Sequence, residues 1–460
     1  MRDERAAAAT RRAFGTVAGV GAPAALLAAC GAPSAGGGTD GQGAGATKRP
    51  VKIAYWVKWG GTSEEAENAV IAAFQGKFPH ITVEGTEDAN LAGSGRGDRE
   101  KFIAALAAGS PPDLIKIDRF MMGGHGAKRT TTLLDDVIKR DKLDMKKFYP
   151  ATVEEVLYPP NQGGKITALP WNTDDRALIY NKKHFVEAGL DPNSPPKTWE
   201  DAAEVGKKLT KMEGGRLVRP GFVAWGANTN WGLGWHWAAG GQFLKASADG
   251  KPNRKAAFND DKMRRTLEYV RDNMISVMGG FPAYDEWRQR WGAREQGAWY
   301  NDGLSMGVHG SWMVGDFRRF GPHVDWGVAP APRPKGMEGT PVTWAGGFAL
   351  AIPTGIKAEQ LDAAWEFVKY YCYGKEAQLL FGSRTGQMPA LIEAAEDKAY
   401  RESDPRMPVF VEVMKHAKIR DVTPAGDEVW STTADRQFAI GGLADRVYEN
   451  KLSIADILNE

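Results

Sequence analysis

The chain has little cysteine, little histidine and almost no excess charge, and each shortage excludes a class of protein. Only two cysteines, Cys30 and Cys372, occur in 460 residues, so a scaffold of internal disulfides is excluded. The formal net charge is only +2, and the strongly basic field that nucleic-acid binding requires is therefore missing. The seven histidines show no close pairing with cysteine or glutamate, so we expect no metal site and no nucleic-acid partner.

The first 29 residues predict an export signal rather than a membrane-spanning helix. The arginine pair Arg11-Arg12 precedes a short stretch rich in Ala, Val, Leu and Gly, which closes with Leu-Ala-Ala-Cys at residues 27–30. A basic start, a short apolar region and small residues before a cleavage site are the features of a signal peptide. The arginine pair resembles a twin-arginine signal, with the general secretory route as the alternative. No later apolar run is long enough to span a bilayer.

Cys30 is the candidate lipid-modified residue. Leu-Ala-Ala-Cys resembles a bacterial lipobox, in which the cysteine is acylated and becomes the mature N-terminus. Residues 31–50 are almost all small or polar, so they cannot bury enough apolar surface to fold and should form a flexible tether. We therefore predict a lipidated Cys30 and a tether over residues 30–50. They would hold the domain at the outer face of the cytoplasmic membrane, or on the periplasmic side in a two-membrane cell. The alternative is an ordinary signal peptide in which Cys30 is incidental.

Strand and helix patterns alternate after the tether. Residues 51–57 place apolar side chains on one face as a strand does, and apolar residues then recur at helical spacing through 66–78. Further strand patterns follow at 81–84 and 114–118, with a helix pattern between them. This order predicts an α/β layer with a largely parallel sheet. About 410 residues follow the tether, which is too many for one hydrophobic core and suits two lobes.

Several segments then follow one another in an order typical of one family. They are residues 74–83, 106–115, 164–170, 178–190, 196–200, 306–312 and 363–367. Behind a lipobox, this succession resembles the extracellular solute-binding proteins, family 1, which feed carbohydrate importers of the ABC type and include the maltose- and maltodextrin-binding proteins. The resemblance covers residues 51–455. Each segment alone is weakly specific, and their order carries the resemblance.

The resemblance implies a two-lobed periplasmic-binding-protein fold of type II, in which each lobe is a three-layer α/β sandwich and a hinge joins the two. It puts residues 51–170 and 331–388 in the N-terminal lobe and residues 171–330 and 389–460 in the C-terminal lobe. Ligand would bind in the cleft, and the lobes would close around it. It also implies a monomeric binding protein with no enzymatic activity and no cofactor. Such a protein delivers a di- or oligosaccharide to membrane permease subunits that a cytoplasmic ATPase drives.

Tryptophans outside regular helices are the candidate stacking residues for a sugar, because the C–H face of a pyranose ring packs on an aromatic platform. Tryptophans in helix patterns, such as Trp199 and Trp365, are instead predicted to lie in the core. Core packing is also the alternative for the stacking candidates. These are Trp59, Trp171, Trp231, Trp235, Trp312, Trp344 and Trp430.

The reasons differ among these candidates. Trp312 and Trp430 resemble the late stacking tryptophans of the maltodextrin-binding relatives. The segment around Trp231 and Trp235 contains too many glycines for a regular buried helix. Trp59 stands where the family often presents polar side chains, and this departure leaves the identity of the sugar open.

Polar candidates come chiefly from the resemblance. Asp118 and Arg119 begin an Asp-Arg-Phe sequence like that of the maltose-binding members, in which the acid and the arginine bind sugar hydroxyls. Asp174 falls in register with a ligand-binding acid of those relatives. The alternative is a hinge salt bridge of Asp174 or Asp175 with Arg176. Gly346 would let a ligand approach the backbone closely, because it has no side chain.

Other classes of function remain as alternatives. A protein of the same fold could bind a non-sugar solute such as a polyamine or an iron chelate, although a cation binder would show a more acidic cleft. A secreted glycoside hydrolase needs two carboxylates flanking the bond, and closure could bring Asp118 and Asp174 together. Release of product from an oligosaccharide would separate hydrolysis from binding.

Overall fold

The computed structural model describes residues 49–59, 63–87, 96–159, 163–224, 231–246, 252–257, 259–292, 294–420, 447 and 453–459. The chain divides into residues 1–48 and residues 49–460, and all described residues belong to the second unit. The predicted signal peptide, Cys30 and nearly all of the tether therefore lie outside the described residues, as does Trp430. Among the described residues no helix is long and apolar enough to cross a membrane.

Most strands are short, and they alternate with helices along the chain as expected of an α/β protein. They are β1 Val51–Lys58, β2 Ile81–Glu87, β3 Leu114–Asp118, β4 Leu157–Tyr158, β5 Lys165–Ile166, β6 Leu169–Pro170, β7 Asn172–Thr173, β8 Ala177–Asn181, β9 Lys211–Glu213, β10 Arg216–Arg219, β11 Leu244–Ala246, β12 Pro252–Ala256, β13 Met306–His309, β14 Trp326–Pro330, β15 Thr343–Trp344, β16 Phe348–Ala351, β17 Met388–Pro389 and β18 Ala417–Lys418.

Helices separate the strands. They are α1 Glu64–Lys77, α2 Arg96–Ala107, α3 Met122–Lys128, α4 Asp135–Arg140, α5 Pro150–Glu154, α6 Lys182–Glu187, α7 Trp199–Leu209, α8 Trp231–Ala238, α9 Asp261–Met278, α10 Phe281–Gln289, α11 Met313–Phe320, α12 Ala358–Val368, α13 Lys375–Thr385, α14 Ile392–Ala395, α15 Lys398–Arg401, α16 Met407–Met414 and α17 Ile454–Asn459. Cys372, fully buried, lies in a π-helical turn, Lys369–Tyr373, and is a core residue as predicted.

The first sheet has five strands in the order β2-β1-β3-β16-β6. The three early strands are parallel, because α1 and α2 carry the chain back between them, and β16 enters antiparallel to β3. Ile53 and Tyr55 point into the core from β1, and Phe74 of α1 is buried as well. The alternation of strand and helix predicted for this part of the chain is confirmed.

The second sheet consists of β13, β8 and β14, with β8 in the centre and both neighbours antiparallel to it. The prediction of a largely parallel sheet is therefore wrong for this part of the chain. The connection from β8 to β13 is long and carries several helices, so the strand can re-enter the sheet in either direction. All five residues of β8 are buried, so both faces of this central strand lie in the protein core.

Residues 171–176, named here the crossing segment, connect the two sheets. The chain leaves the first sheet at β6, and β8 begins the second sheet directly after the crossing segment. Within it β7 pairs with β17, so a later part of the chain crosses beside it. The predicted lobe boundaries stay a prediction; β6 ends at residue 170, after which the N-terminal lobe is predicted to pass into the C-terminal lobe.

One predicted loop is a helix. The glycine-rich segment from Trp231 forms α8, and the expectation that glycines would break it is wrong. Tertiary packing overrides helix propensity here: a side chain on Gly234 would lie 2.7 Å from the Trp344 ring, so glycine allows α8 to pack against that tryptophan. Trp199 and Trp365 are core residues as predicted, with 1% and 0% of their surfaces exposed.

Candidate functional site

The candidate site is built around the crossing segment. Asp174 and Gly346 form a two-bond bridge, in which the Asp174 amide donates to the Gly346 carbonyl at 3.2 Å and the Gly346 amide donates back at 2.9 Å. The Trp171 amide donates to the Phe348 carbonyl at 3.0 Å. These bonds hold the side chains of the crossing segment against the start of β16, where the two sheets meet.

Arg176 is the central cation of the site. Its guanidinium carbon lies 4.6 Å from the ring centroid of Trp312 and 4.4 Å from that of Trp344, which are favourable cation–π distances. One guanidinium nitrogen donates to the Asp174 carboxylate, and the Arg176 amide donates to the Thr343 hydroxyl at 2.7 Å. The salt bridge that was the alternative for Asp174 is therefore present.

A small, partly open cavity adjoins Arg176. Its described walls come from α8, β13, the segment after β14 and the strand β15. They are Arg176, Gly234, Trp235, Ala238, Val308, Ala331, Pro332, Val342 and Trp344. Mostly apolar walls with a single charged side chain among them are typical of small-ligand sites, so this cavity is a candidate for a solute-binding pocket in the described residues.

Three of the predicted tryptophans belong to this region. Trp344 and Trp235 line the cavity although only 1% and 4% of their surfaces are exposed. Trp312 is half-buried, caps the N-terminus of α11 and contacts His309 edge-on, with 5.1 Å between ring centroids. The helix α8 begins at Trp231, whose side chain lies outside the described part of the structure.

Two other predicted tryptophans pack into a core of aromatic rings. Trp171 is fully buried against Tyr371 and Phe381, and Trp59 meets it edge-on with 5.2 Å between ring centroids. The Lys116 ammonium lies 4.3 Å from the Trp59 ring centroid. The faces of Trp171 are thus covered by protein. The predicted ligand contact of Trp171 is corrected to packing in the core. Trp59 is half-buried at the edge of this cluster.

Arg119 does not present its guanidinium to a cleft. The side chain is fully buried and donates to Glu155 at 3.0 Å, to the Phe348 carbonyl at 3.1 Å and to the carbonyls of Asn172 and Gly346. Because these acceptors already engage the guanidinium, the sugar contact implied by the resemblance is corrected to a positioning role. Arg119 ties β3 to the crossing segment and to the start of β16.

Asp118 belongs to a buried ion network that sequence reasoning missed. Arg420 donates to Glu155 at 2.8 and 3.1 Å and to Asp118 at 3.3 Å, and Glu155 also accepts from Arg119. Burial raises the pKa of Asp118, although Arg420 opposes that shift. Burial disfavours the charge of Arg420, but Glu155 and Asp118 outweigh it and raise the pKa of the guanidinium. Glu155 and Arg420 are 265 residues apart, so no local motif could have paired them.

Asp175 is a fully buried carboxyl group beside this network. Neither of its oxygens has a hydrogen-bond partner in another described residue. Burial raises the pKa of Asp175 well above its usual value, and the neighbouring Asp174 adds to the shift while Arg176 opposes it. Burial, together with this carboxyl group, raises the pKa values of Tyr149 and Tyr400. The neutral form of Asp175 is therefore favoured in the folded protein.

Replacing Asp175 with asparagine is expected to raise the Tm at neutral pH. An aspartate ionises near pH 4 in the unfolded chain, whereas burial keeps Asp175 protonated to higher pH in the folded chain. The folded state then binds more protons, so stability falls as the pH rises above about 4. The amide of the Asp175→Asn variant does not titrate, and the advantage of this variant over the wild type should grow from about pH 4 to about pH 7. An advantage that shrinks with rising pH would contradict this account; Asp136→Asn, at an exposed position, supplies the baseline.

Gly346 is required by the Asp174 carboxylate. A β-carbon at this position would lie 2.0 Å from Asp174 Oδ1, and the salt bridge to Arg176 prevents that carboxylate from simply moving away. We expect Gly346→Ala to weaken solute binding about tenfold and to cost about 1–3 kcal/mol of stability. Isothermal titration and thermal unfolding measure the two effects. Gly76→Ala is the control, since nothing lies within 4 Å of its β-carbon, and unchanged affinity in Gly346→Ala would refute the argument.

The described residues contain no group of three or more histidine, cysteine, aspartate or glutamate side chains that could hold a metal ion. The site instead combines buried arginines, the carboxyl groups they engage and aromatic walls between two α/β sheets. These features are typical of a small-solute binding protein.

The chain belongs to the bacterial extracellular solute-binding proteins, whose sequence pattern matches residues 60–378. The maltotriose-binding protein of Pyrococcus abyssi (strain GE5 / Orsay) is 25% identical over 328 residues, which are 71% of this chain and 65% of that relative. The sn-glycerol-3-phosphate-binding periplasmic protein UgpB of Yersinia pestis bv. Antiqua (strain Antiqua) is 22% identical over 311 residues, 66% of this chain and 67% of that relative. The chain thus spans just under two thirds of the first of these relatives.

Solved structures agree on the fold. The mannotriose-bound protein CpMnBP1 superimposes with a TM-score of 0.73 at 22% identity, over 89% of this chain and 98% of that protein. The predicted α/β fold of the two-lobed periplasmic-binding-protein type II is therefore confirmed. Members of this family are binding proteins rather than enzymes.

Proposed function

We propose that the chain is the extracytoplasmic receptor of an ABC importer, and that it captures a neutral carbohydrate beside the crossing segment. The observation that carries this proposal is the cavity next to Arg176, because two of its walls are tryptophan rings that can pack on the C–H face of a sugar. The maltotriose and mannotriose bound by the relatives support a di- or oligosaccharide. The receptor would act as a monomer without a cofactor and would deliver the sugar to membrane permease subunits served by an ATPase.

The charges of the site support a neutral solute over a polyamine or an iron chelate. Asp118 and Glu155 have Arg420 as partner, and Asp174 has Arg176. Burial favours the neutral form of Asp175. Since Asp118, Glu155 and Asp174 each have a guanidinium partner, these carboxylates offer no excess negative charge to a cation.

Hydrolysis is the weaker candidate. A glycosidase needs one carboxylic acid that donates a proton and one carboxylate on the other side of the bond. Asp118 and Asp174 are both engaged by arginines, so neither carboxyl group is free to flank a glycosidic bond. Capture without chemistry fits this arrangement better: the open cleft admits the sugar, closure buries it, and the closed form docks on the permease.

Tryptophan fluorescence of the purified chain, titrated with mono-, di- and oligosaccharides, tests the proposal. Trp235 and Trp344 line the cavity, so a bound sugar should change their emission. A saturable change at micromolar sugar, with the sugar recovered intact, is the expected result. No response to any sugar, together with a response to spermidine or an iron chelate, would overturn the proposal in favour of a non-sugar receptor. Recovery of cleaved sugar would make the protein a hydrolase.

We also propose that Cys30 carries lipid and holds the receptor at the outer face of the membrane. The Leu-Ala-Ala-Cys sequence and the small and polar residues after it support this anchor. Cys30→Ala is expected to move the protein from the membrane fraction to the soluble exported fraction. Cys372→Ala is the control, because that cysteine is buried in the fold. Equal membrane retention of Cys30→Ala and the wild type would contradict the anchor.

A further inference from the structure

The described chain passes between the two sheets at three places, and these places lie side by side. The crossing segment is the first. Residues 345–348, the second crossing, lead from β15 into β16 of the first sheet, after the chain has left the second sheet at β14. Residues 386–389, the third crossing, follow α13, which contacts α1, and precede α16, which contacts β14. Within the third crossing β17 pairs with β7 of the crossing segment, and Gly346 of the second bridges to Asp174.

Asn172 is the side chain at which the three crossings meet. It lies in the crossing segment and only 2% of its surface is exposed. Its Oδ1 accepts from the Phe348 amide of the second crossing at 2.8 Å, and its Nδ2 donates to Gln387 Oε1 of the third crossing at 2.9 Å. These partners are 176 and 215 residues away in the sequence. One amide group thus joins the first crossing to the second and to the third.

The main chain is closely packed around Asn172. A β-carbon on Gly347 would lie 2.7 Å from the Asn172 carbonyl oxygen and 2.9 Å from the α-carbon of Thr173, and the φ angle of Gly347 is +110°, which favours glycine. The Asn172 carbonyl also accepts from Arg119. Because the first and second crossings touch through their main chains here, a shift of one would displace the other.

The candidate site lies within a few residues of Asn172. Asp174 and Arg176 follow it in the crossing segment, and Gly346 is bonded to Asp174. If the crossings could slide past one another, only a fraction of the molecules would hold these groups in the arrangement that binds solute, and the affinity would fall by that fraction. The Asn172 amide opposes such sliding, because a shift would leave a buried donor or acceptor unsatisfied.

We propose that Asn172 is the positioning residue of the hinge between the lobes, and that its amide keeps the three crossings in one register while the lobes close around solute. Asn172 does not contact the solute and acts through Asp174, Arg176 and Gly346. The inference rests on the proposed function and adds the residue that holds the site together during closure.

Asn172→Leu, compared with Asn181→Leu, tests this role. Asn181 is also buried and uses both ends of its amide, accepting from the His184 amide at 3.3 Å and donating to Asp302 at 3.1 Å, but these bonds lie beside β8 and join no crossings. We expect both variants to lower the Tm, and Asn172→Leu alone to weaken the binding of maltotriose or mannotriose about tenfold in isothermal titration. If the wild type binds and the two variants bind equally well, the role of Asn172 is refuted while the sugar receptor stands.

A second set of variants keeps the proposal testable if Asn172→Leu does not fold. Asn172→Asp keeps the acceptor for the Phe348 amide, and Gln387 can turn its own amide to donate to the new carboxylate. Gln387→Glu keeps the acceptor for Asn172. Each single variant should bind within a few-fold of the wild type, whereas the double variant sets two acceptors face to face and should bind about tenfold more weakly than the single effects combined. Additive effects would show that this contact does not control binding.

Small-angle X-ray scattering of the ligand-free chain gives a readout that does not depend on the sugar. We expect Asn172→Leu to broaden the distribution of interatomic distances relative to the wild type and to Asn181→Leu, because the lobes would sample more arrangements. The same distribution in all three proteins would overturn the role of Asn172. Failure of the wild type to bind any sugar would instead contradict the proposed function and leave the scattering result to decide the hinge.

Discussion

Replacing Glu155 with alanine is expected to lower the free energy of unfolding by about 3–5 kcal/mol, which is the usual cost of breaking a buried ion pair from one side. Glu155 is fully buried and accepts from both Arg119 and Arg420. Its removal leaves two buried guanidinium groups with one carboxylate, Asp118, near them. The desolvation already suffered by both arginines would then be largely uncompensated.

Chemical denaturation followed by circular dichroism measures this loss. Glu154→Ala is the matched control, since Glu154 is the neighbouring glutamate and forms no ion pair among the described residues. It should cost less than about 1 kcal/mol, as substitutions away from buried networks usually do. A Glu155 variant no less stable than the Glu154 variant would show that the network contributes nothing to the fold.

The network also links the fold to the site. Arg119 donates to the carbonyl of Asn172 in the crossing segment and to the carbonyl of Gly346 between β15 and β16. Arg420 donates to Asp118 at the end of β3. Asp174 and Arg176 are therefore held in place by charges that do not touch the cavity. A Glu155 variant that still folds should bind sugar more weakly, since the bridge between Asp174 and Gly346 loses part of its support.

The secondary structure of the first sheet was predictable because it depends on local patterns. The alternation in β1 and the helical spacing in α1 are visible in the residues themselves. The antiparallel second sheet was not predictable in the same way, since the strands that flank β8 lie far along the chain and nothing local records their direction. The partners of Arg119 could not be predicted for the same reason, because one of them, the Phe348 carbonyl, is 229 residues away in the sequence.

Position on or off a helix, which was used to separate candidate stacking tryptophans from core tryptophans, does not follow burial in the structure. Trp235 lies on a helix and lines the cavity, whereas Trp171 lies outside any helix and is fully buried in the first core. Burial alone does not separate them either, since Trp344 is as buried as Trp199 and yet forms a cavity wall. Which tryptophans line the cavity depends on residues that pack around them from distant parts of the chain, and those neighbours are known only once the fold is known.

Trp312→Ala is expected to weaken sugar binding at least thirtyfold, or by about 2 kcal/mol or more, which is the size of effect seen at an aromatic anchor of a binding site. Trp312 is half-buried, and Arg176 lies over its ring. Its loss removes an aromatic face beside the crossing segment and releases one side of the guanidinium that donates to Asp174. The cation–π contact itself contributes only about 0.5–2 kcal/mol, so the fold should lose little stability.

Affinity from isothermal titration and Tm from thermal unfolding, measured on the same samples, separate the two effects. Trp291→Ala is the matched control, because Trp291 is also half-buried but packs on Trp287, whereas Trp312 packs on Arg176. It should leave the affinity unchanged. A large drop in Tm with unchanged affinity in Trp312→Ala would assign Trp312 to the core. Sugar contact would then rest with Trp235 and Trp344 alone, whose rings already form the cavity wall.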